Sequence, residues 1–276
     1  MDDALQPGLY IVATPIGNLS DLSPRAAFVL ARADLIAVED SRVTATLLRH
    51  IGAKRPMIAY HDHNADRVRP GLIERMAREA VALVSDAGTP LISDPGYKLV
   101  RDARAARIAV TTIPGPSAVI AALTLAGLPT DRFAFFGFLP AKAGAKAAAI
   151  AEAATFRGTL AFYESGPRLA ATLAALRDGL GAREAAVARE ISKRFEETVT
   201  GTLAELAVRY AESPPKGEIV IIVGPPGEAA AAGEEEIDAA LREAMARLSA
   251  SRAAAEVAQR LGIPRRAAYE RAQQLK

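Results

Sequence analysis

The chain has 276 residues, of which 50% are hydrophobic and 24% charged, and its formal net charge is +2. That length and balance suit a globular protein with a sizeable core, exclude a disordered chain, and leave too small a basic excess to identify a nucleic-acid binder by charge alone. The absence of cysteine rules out disulfides, thiolate nucleophiles and cysteine zinc sites together. No run approaches the roughly 18 apolar residues of a membrane span, and Met1, Asp2 and Asp3 do not open a secretory leader. A cytoplasmic protein without a membrane partner is expected.

In chain order, β-rich runs at 9–13, 35–38, 57–60, 81–84 and 108–112 alternate with helical patterns at 24–31, 43–50, 67–80 and 96–105. Ser23 and Pro24 supply an N-cap and a first helical position for the first of these helices. Such alternation predicts a mainly parallel sheet with helices on its faces. An interruption at 123–130, where Gly127 and Pro129 fall, predicts a boundary between a first α/β domain, 1–122, and a second, 123–227. The second shows strands near 133–137, 159–163, 186–189, 196–200 and 218–223, with helices near 145–154, 167–177 and 203–210 between them. Residues 224–233, rich in glycine, proline and alanine, read as a linker.

A small helical module, 234–276, closes the chain. In it Ser251 is expected to cap one helix, Gly262 to end it and Pro264 to start the last, a helix-turn-helix pattern. From Ser249 onward there are six basic residues (Arg252, Arg260, Arg265, Arg266, Arg271 and Lys276) against Glu256 and Glu270. That bias favours contact of Arg265 and Arg266 with nucleic-acid phosphates, and a packing or dimer-contact module is the alternative.

Three glycine- and proline-punctuated loops follow apolar strands: 13–21, 84–96 and 113–118. Glycine admits close backbone approach, proline fixes the path into the next helix, and loops at the carboxyl ends of parallel strands are where open α/β sheets bind small molecules. Three such loops on neighbouring strands predict one shared pocket.

These stretches, together with 37–44, 60–64, 162–168, 188–193 and 216–220, resemble the rRNA cytidine 2'-O-methyltransferases of the tetrapyrrole methylase superfamily over nearly the whole chain. The resemblance implies two α/β domains with S-adenosylmethionine in the cleft between them, and a homodimer. It also implies methylation of a cytidine ribose in the decoding region of 16S rRNA, preferably on the assembled small ribosomal subunit, with the C-terminal helices as an RNA-contacting module. By motif it assigns the cofactor to Ile16, Gly88, Thr89, Ile92, Ser117, Ala118, Tyr163 and Glu164, with residues 216–218, Glu218 among them, closing the cleft. Ring-methylating relatives typically carry Gly-x-Gly-Pro-Gly-Asp and Gly-Gly-Asp-Pro in the first two loops. Here the first reads Ala13, Thr14, Pro15, Ile16, Gly17, Asn18 and the second Ala87, Gly88, Thr89, Pro90, a departure that counts against a tetrapyrrole substrate.

Proton removal from a ribose hydroxyl needs no metal in principle, so the candidate bases are carboxylates or histidines at strand ends. Glu39 is the candidate base or substrate-orienting group, while Asp40 or Ser41 can cap the helix that follows. Asp86 holds an equivalent place, with a turn-stabilising contact as its alternative. His61 and His63 flank Asp62, but without a third soft ligand no metal is expected there. RNA contact or proton handling by His63 or Asn64 is the functional reading. Arg42, Arg168, Arg189 and Lys193 adjoin the motif loops and can meet the phosphates of a splayed strand, since a ribose in folded RNA is usually reached single-stranded. Glu164 with Arg168, or Arg189 with Glu190, could equally form ion pairs.

Overall fold

The computed structural model describes residues 4–227, 234–261 and 264–275. By contact the chain forms two units, Met1–Gly224 and Pro225–Lys276.

The first unit holds two five-stranded sheets. Strands β1 (Gly8–Val12), β2 (Leu35–Val38), β3 (Met57–Ala59), β4 (Ala80–Val84) and β5 (Val110–Ile113) form one sheet in the order β3-β2-β4-β1-β5. Every pairing in it is parallel, as the alternating pattern predicts. All residues of β2 and β4 are buried, the reason their sequences are continuous apolar runs rather than alternating ones. Helices α1 (Pro24–Arg32), α2 (Ser41–His50), α3 (Ala65–Met76) and α4 (Tyr97–Ala105) connect them. The Ser23 hydroxyl accepts from the Ala26 N–H and caps α1, and the Asp40 carboxylate accepts from the Arg42 N–H and caps α2. Helix α3 ends earlier than the pattern suggested, because Ala80 already pairs with Gly8 in the sheet.

The second sheet contains β6 (Phe133–Phe138), β7 (Thr159–Ser165), β8 (Glu184–Arg189), β9 (Glu197–Thr202) and β10 (Glu218–Val223), in the order β6-β7-β10-β8-β9. Only β6 and β7 pair in parallel; the rest of the sheet is antiparallel. Helices α6 (Ala143–Ala154), α7 (Gly166–Leu180) and α8 (Leu203–Glu212) belong to this half, and a core of Leu160, Phe162, Leu169, Leu173, Leu206 and Ile221 lies between sheet and helices.

Its other face is covered by α5 (Ala118–Ala126), the helix expected after the 113–118 loop but given no bounds there. Val119, Ala122, Leu123 and Ala126 pack against Ala161, Ala186, Ala188, Val220 and Ile222 of the second sheet. The expected division at 122/123 therefore cuts a helix. The interruption that suggested it is the end of α5, where Gly127 takes the left-handed conformation at φ 65°. Helix α5 leaves β5 of the first sheet and seats on the second, so its N-terminus lies between the two.

The second unit contains α9 (Glu234–Met245), α10 (Ala250–Leu261) and α11 (Arg265–Gln274), packed around Leu241, Ala244, Ala253, Val257 and Ala272. Arg271 binds both oxygens of Asp238, at 2.6 and 2.9 Å. Helix α10 starts at Ala250, so Ser251 lies within it rather than capping it, and Pro264 stands one residue before α11. Gly262 and residues 228–233 of the expected linker lie outside the described residues. No helix among the described residues is long and apolar enough to cross a membrane.

Candidate active site

Because the first sheet is parallel, the loops after β1, β2, β4 and β5 all leave its carboxyl edge. Backbone contacts join three of them into one frame. Thr14 and Gly88 exchange N–H to carbonyl bonds of 2.8 and 3.1 Å, and the Thr89 hydroxyl donates to the Pro116 carbonyl at 3.0 Å. Gly88 has φ +79°, a region costly to a residue with a Cβ. Leu91 and Ser93 in the same loop also have positive φ, at 76° and 64°, backbone strain of the sort that collects at functional sites.

The frame and the facing second sheet enclose a cleft of about 370 Å³. All nine residues expected to hold a cofactor line it: Ile16, Gly88, Thr89, Ile92, Ser117, Ala118, Tyr163, Glu164 and Glu218. Of the expected catalytic residues, Glu39 and Asp86 line it and His63 does not. His63 is exposed in the turn after β3, its ring edge-on to His61 at 6.0 Å.

The two walls differ chemically. The first sheet's loops contribute the carboxylates Glu39, Asp86 and Asp94 with Ile16 and Ile92, whereas the second half contributes Phe138, Tyr163, Ile191, Ile219 and Val220, with Glu218 at its edge. Asp94 was missed by the sequence reading, since nothing local to its loop marks it. Burial raises its pKa to about 6, a hydrogen bond from Ser85 opposes the rise, and the charges of Glu39 and Asp86 add to it. Burial also raises Glu39 and Asp86, partly countered in each by a backbone N–H, that of Asp86 for Glu39 and that of Asp40 for Asp86. A ligand with a cationic centre and an apolar, aromatic-ring portion matches these walls: the cation relieves the crowding of carboxylates and the ring meets the aromatic face.

Glu164 lines the cleft without directing its acid group there. Its fully buried carboxylate accepts from the Ser165 N–H at 2.8 Å and the Thr172 hydroxyl at 2.6 Å, with Arg168 at 3.4 Å. Tyr163 and Glu164 are consecutive in β7 and must face opposite sides of the sheet.

A second cleft, of about 400 Å³, adjoins the first and shares Ile16, Asp86, Ala87 and Glu218 with it. Its remaining wall comes from the β1 loop, from α2, from Ser85 and from Lys193.

The model of the tetrapyrrole (corrin/porphyrin) methylases matches residues 8–207, and that of the RsmI C-terminal HTH domain matches residues 231–276. The chain is 50% identical to the ribosomal RNA small subunit methyltransferase I of Mesorhizobium japonicum, over 99% of this chain and 93% of that one. It is also 50% identical to the protein of the same name from Xylella fastidiosa strain Temecula1, over 95% and 98%. The chain belongs to the tetrapyrrole methylase family. Among solved structures, its fold is similar to that of diphthine synthase, with a TM-score of 0.63 at 15% identity, covering 79% of this chain and 89% of that one. It is similar also to the uroporphyrin-III C-methyltransferase of Thermus thermophilus complexed with S-adenosylhomocysteine, at TM-score 0.54 and 22% identity, over 79% and 97%.

The basic residues expected to meet RNA sit differently in this methylase. Arg168 donates to the Leu139 carbonyl at 2.5 Å as well as pairing with Glu164, which makes it a brace for the segment after β6. Arg189 pairs with Glu197 across β8 and β9 at 2.7 Å, rather than with Glu190. Asn64 closes the turn after β3, accepting from the His61 N–H and donating to the Ala59 carbonyl, both at 2.9 Å. Arg42 is bound to Asp40, which that contact holds at a pKa of about 2, and its side chain is 89% exposed. Lys193 bridges Glu190 at 3.1 Å and Glu218 at 2.8 Å. In the helical unit Arg265 and Arg266 are exposed, the latter paired with Glu270 at 2.9 Å.

Proposed function

We propose that the protein methylates rRNA with S-adenosylmethionine, at the 2'-hydroxyl of a cytidine ribose in the decoding region of 16S rRNA, acting as a homodimer on the assembled small ribosomal subunit. The observation that carries this reading is the cleft itself, where three loops and the second sheet set an acidic wall against an aromatic one. It is supported by relatives named for small-subunit rRNA methylation at half identity over nearly the full chain.

When bound, the cofactor supplies a sulfonium methyl group: the ribose oxygen bonds to that carbon as the carbon–sulfur bond breaks with its electron pair on sulfur, leaving a thioether. The acidic wall of Glu39, Asp86 and Asp94 favours a cation at the carboxyl edge of the first sheet, and Phe138 and Tyr163 cover an aromatic ring. The frame of Thr14, Gly88 and Thr89 keeps the cleft in shape, so alignment of two substrates costs little rearrangement. The hydroxyl proton passes to a carboxylate. Glu39 is assigned as its acceptor, because among the described residues its carboxylate is held by one long bond, of 3.4 Å, from the Asp86 N–H. Burial raises its basicity towards that task. Arg265 and Arg266 of the helical unit supply phosphate contacts.

The test is labelled methyl transfer to undermodified small subunits, naked 16S rRNA and a porphyrin precursor in parallel. Label on the subunits is expected. Label on the ring alone would replace this reading with that of a tetrapyrrole methylase.

A further inference from the structure

The second cleft is too large to be a packing fault, and of the first cleft's lining it shares Ile16, Asp86, Ala87 and Glu218. Its position is informative: Asp86 and Ala87 separate it from the first cleft, so a group seated in it lies one residue layer from a ligand in the other. Transfer between two bound molecules requires that adjacency.

Its lining suits a nucleotide. Leu19, Val43 and Leu47 give apolar surface, Thr44 and Thr46 give hydroxyls, and Lys193 stands at the edge with its side chain 28% exposed. At about 400 Å³ it falls within the size range of small-ligand sites.

The turn joining β8 and β9 points the same way. Its backbone is strained, with Glu190 at φ 49° and Ser192 at φ 67°, neither a glycine. It is nevertheless tied down: the Ser192 hydroxyl donates to Asp21, at the end of the β1 loop, and the Ser192 N–H donates to Glu196 at 2.6 Å. Ile191 of this turn lines the first cleft and Lys193 the second. Two residues on, Phe195 is 63% exposed, with the Arg194 guanidinium 5.6 Å from its ring centre. An exposed aromatic beside an arginine, on a strained and anchored turn, is a surface on which an unstacked base can lie.

We propose that the second cleft is the acceptor subsite, receiving one unpaired nucleotide of the RNA, and that Phe195 stacks on that nucleotide or its neighbour. The inference rests on the reading of the protein as an rRNA methylase. It assigns the acceptor to the α2 side of Asp86 and the cofactor to the other.

Val43→Trp fills the second cleft from a position that is 43% exposed and outside the first cleft. Calorimetry with S-adenosylmethionine should give an unchanged affinity. Filter binding of undermodified small subunits should weaken roughly tenfold, with a matching rise in KM for methyl transfer. Thr46→Trp fills the same space from another exposed position and should behave alike, which covers a folding defect in either variant. Phe195→Ala should weaken subunit binding with cofactor affinity intact. Wild-type subunit binding and KM in both tryptophan variants would overturn the inference, as would loss of cofactor affinity in folded variants. A wild-type protein that methylates no RNA would overturn the functional reading instead, an outcome distinguishable from the first two.

Discussion

The Asp86 carboxylate accepts a hydrogen bond of 2.9 Å from the backbone N–H of Asp40, while the Asp86 N–H points back to Glu39 at 3.4 Å. The two strands concerned, β2 and β4, pair with Val38 opposite Val84, so their ends are clipped together at the mouth of the cleft. Asp86 is thereby oriented and Glu39 left comparatively free.

Glu39→Gln should cut turnover by roughly 10²- to 10⁴-fold, the usual worth of a positioned base, and lower cofactor affinity by far less, since Asp86 and Asp94 still face the cation. Steady-state kinetics with calorimetry separates the two quantities. Unchanged turnover would remove Glu39 from the mechanism, and weakened affinity alone would make it a binding residue.

Asp86→Asn keeps an oxygen for the Asp40 N–H, whereas Asp86→Ala leaves that donor unmet. The alanine variant should lose about 1 kcal/mol of stability relative to the asparagine variant, read from thermal or denaturant unfolding. Equal stability would show that the clip contributes nothing.

Asp94 carries a pH dependence whose sign can be worked out. Its folded pKa, about 6, lies above its ordinary value of 3.8, so between those values the folded protein holds more protons than the unfolded chain. The contribution of this group to stability therefore falls as pH rises from about 4 to about 6. Affinity for a cationic ligand runs oppositely, because the ionised carboxylate attracts it. S-adenosylmethionine affinity should drop roughly tenfold between pH 7 and pH 5 if binding requires the ionised form. Asp94→Asn should flatten both dependences. A titration series with the same slope in wild type and variant would contradict this role.

Arg168 and Arg265 should separate by salt. Arg168→Ala leaves the buried Glu164 without its cation and should destabilise the fold by about 1–3 kcal/mol, with the salt dependence of subunit binding unchanged. Arg265→Ala should leave stability alone and reduce the slope of log affinity against log salt by about one.

Much of this site is legible in the sequence because its loops follow strands of one parallel sheet, whose carboxyl ends share an edge. The loops 13–21, 84–96 and 113–118 could be placed together for that reason, and the family resemblance picked out Gly88, Thr89, Ser117 and Ala118 within them. Glu164 was legible as a position and misleading as a side chain: strand parity sends it away from the face that Tyr163 occupies. The extent of helix α5 was hidden because its apolar composition carries no strong one-sided pattern, and its end at Gly127 reads equally as a domain boundary. The Asp94 shift depends first on burial by the facing half and then on Glu39 from the end of β2 and Asp86 from its own loop, so no local pattern could mark it. The Glu164–Arg168 ion pair was one alternative the sequence already offered, being neighbours four apart, whereas Arg189 finds Glu197 across the sheet rather than the adjacent Glu190, a partner only strand register supplies.

The most direct measurement is mass-spectrometric mapping of 16S rRNA from undermodified small subunits incubated with the protein and S-adenosylmethionine. The account predicts a single added methyl on the ribose of one decoding-region cytidine, absent when Glu39→Gln replaces the wild type. A methyl on a base, or no methyl on the RNA at all, would contradict it.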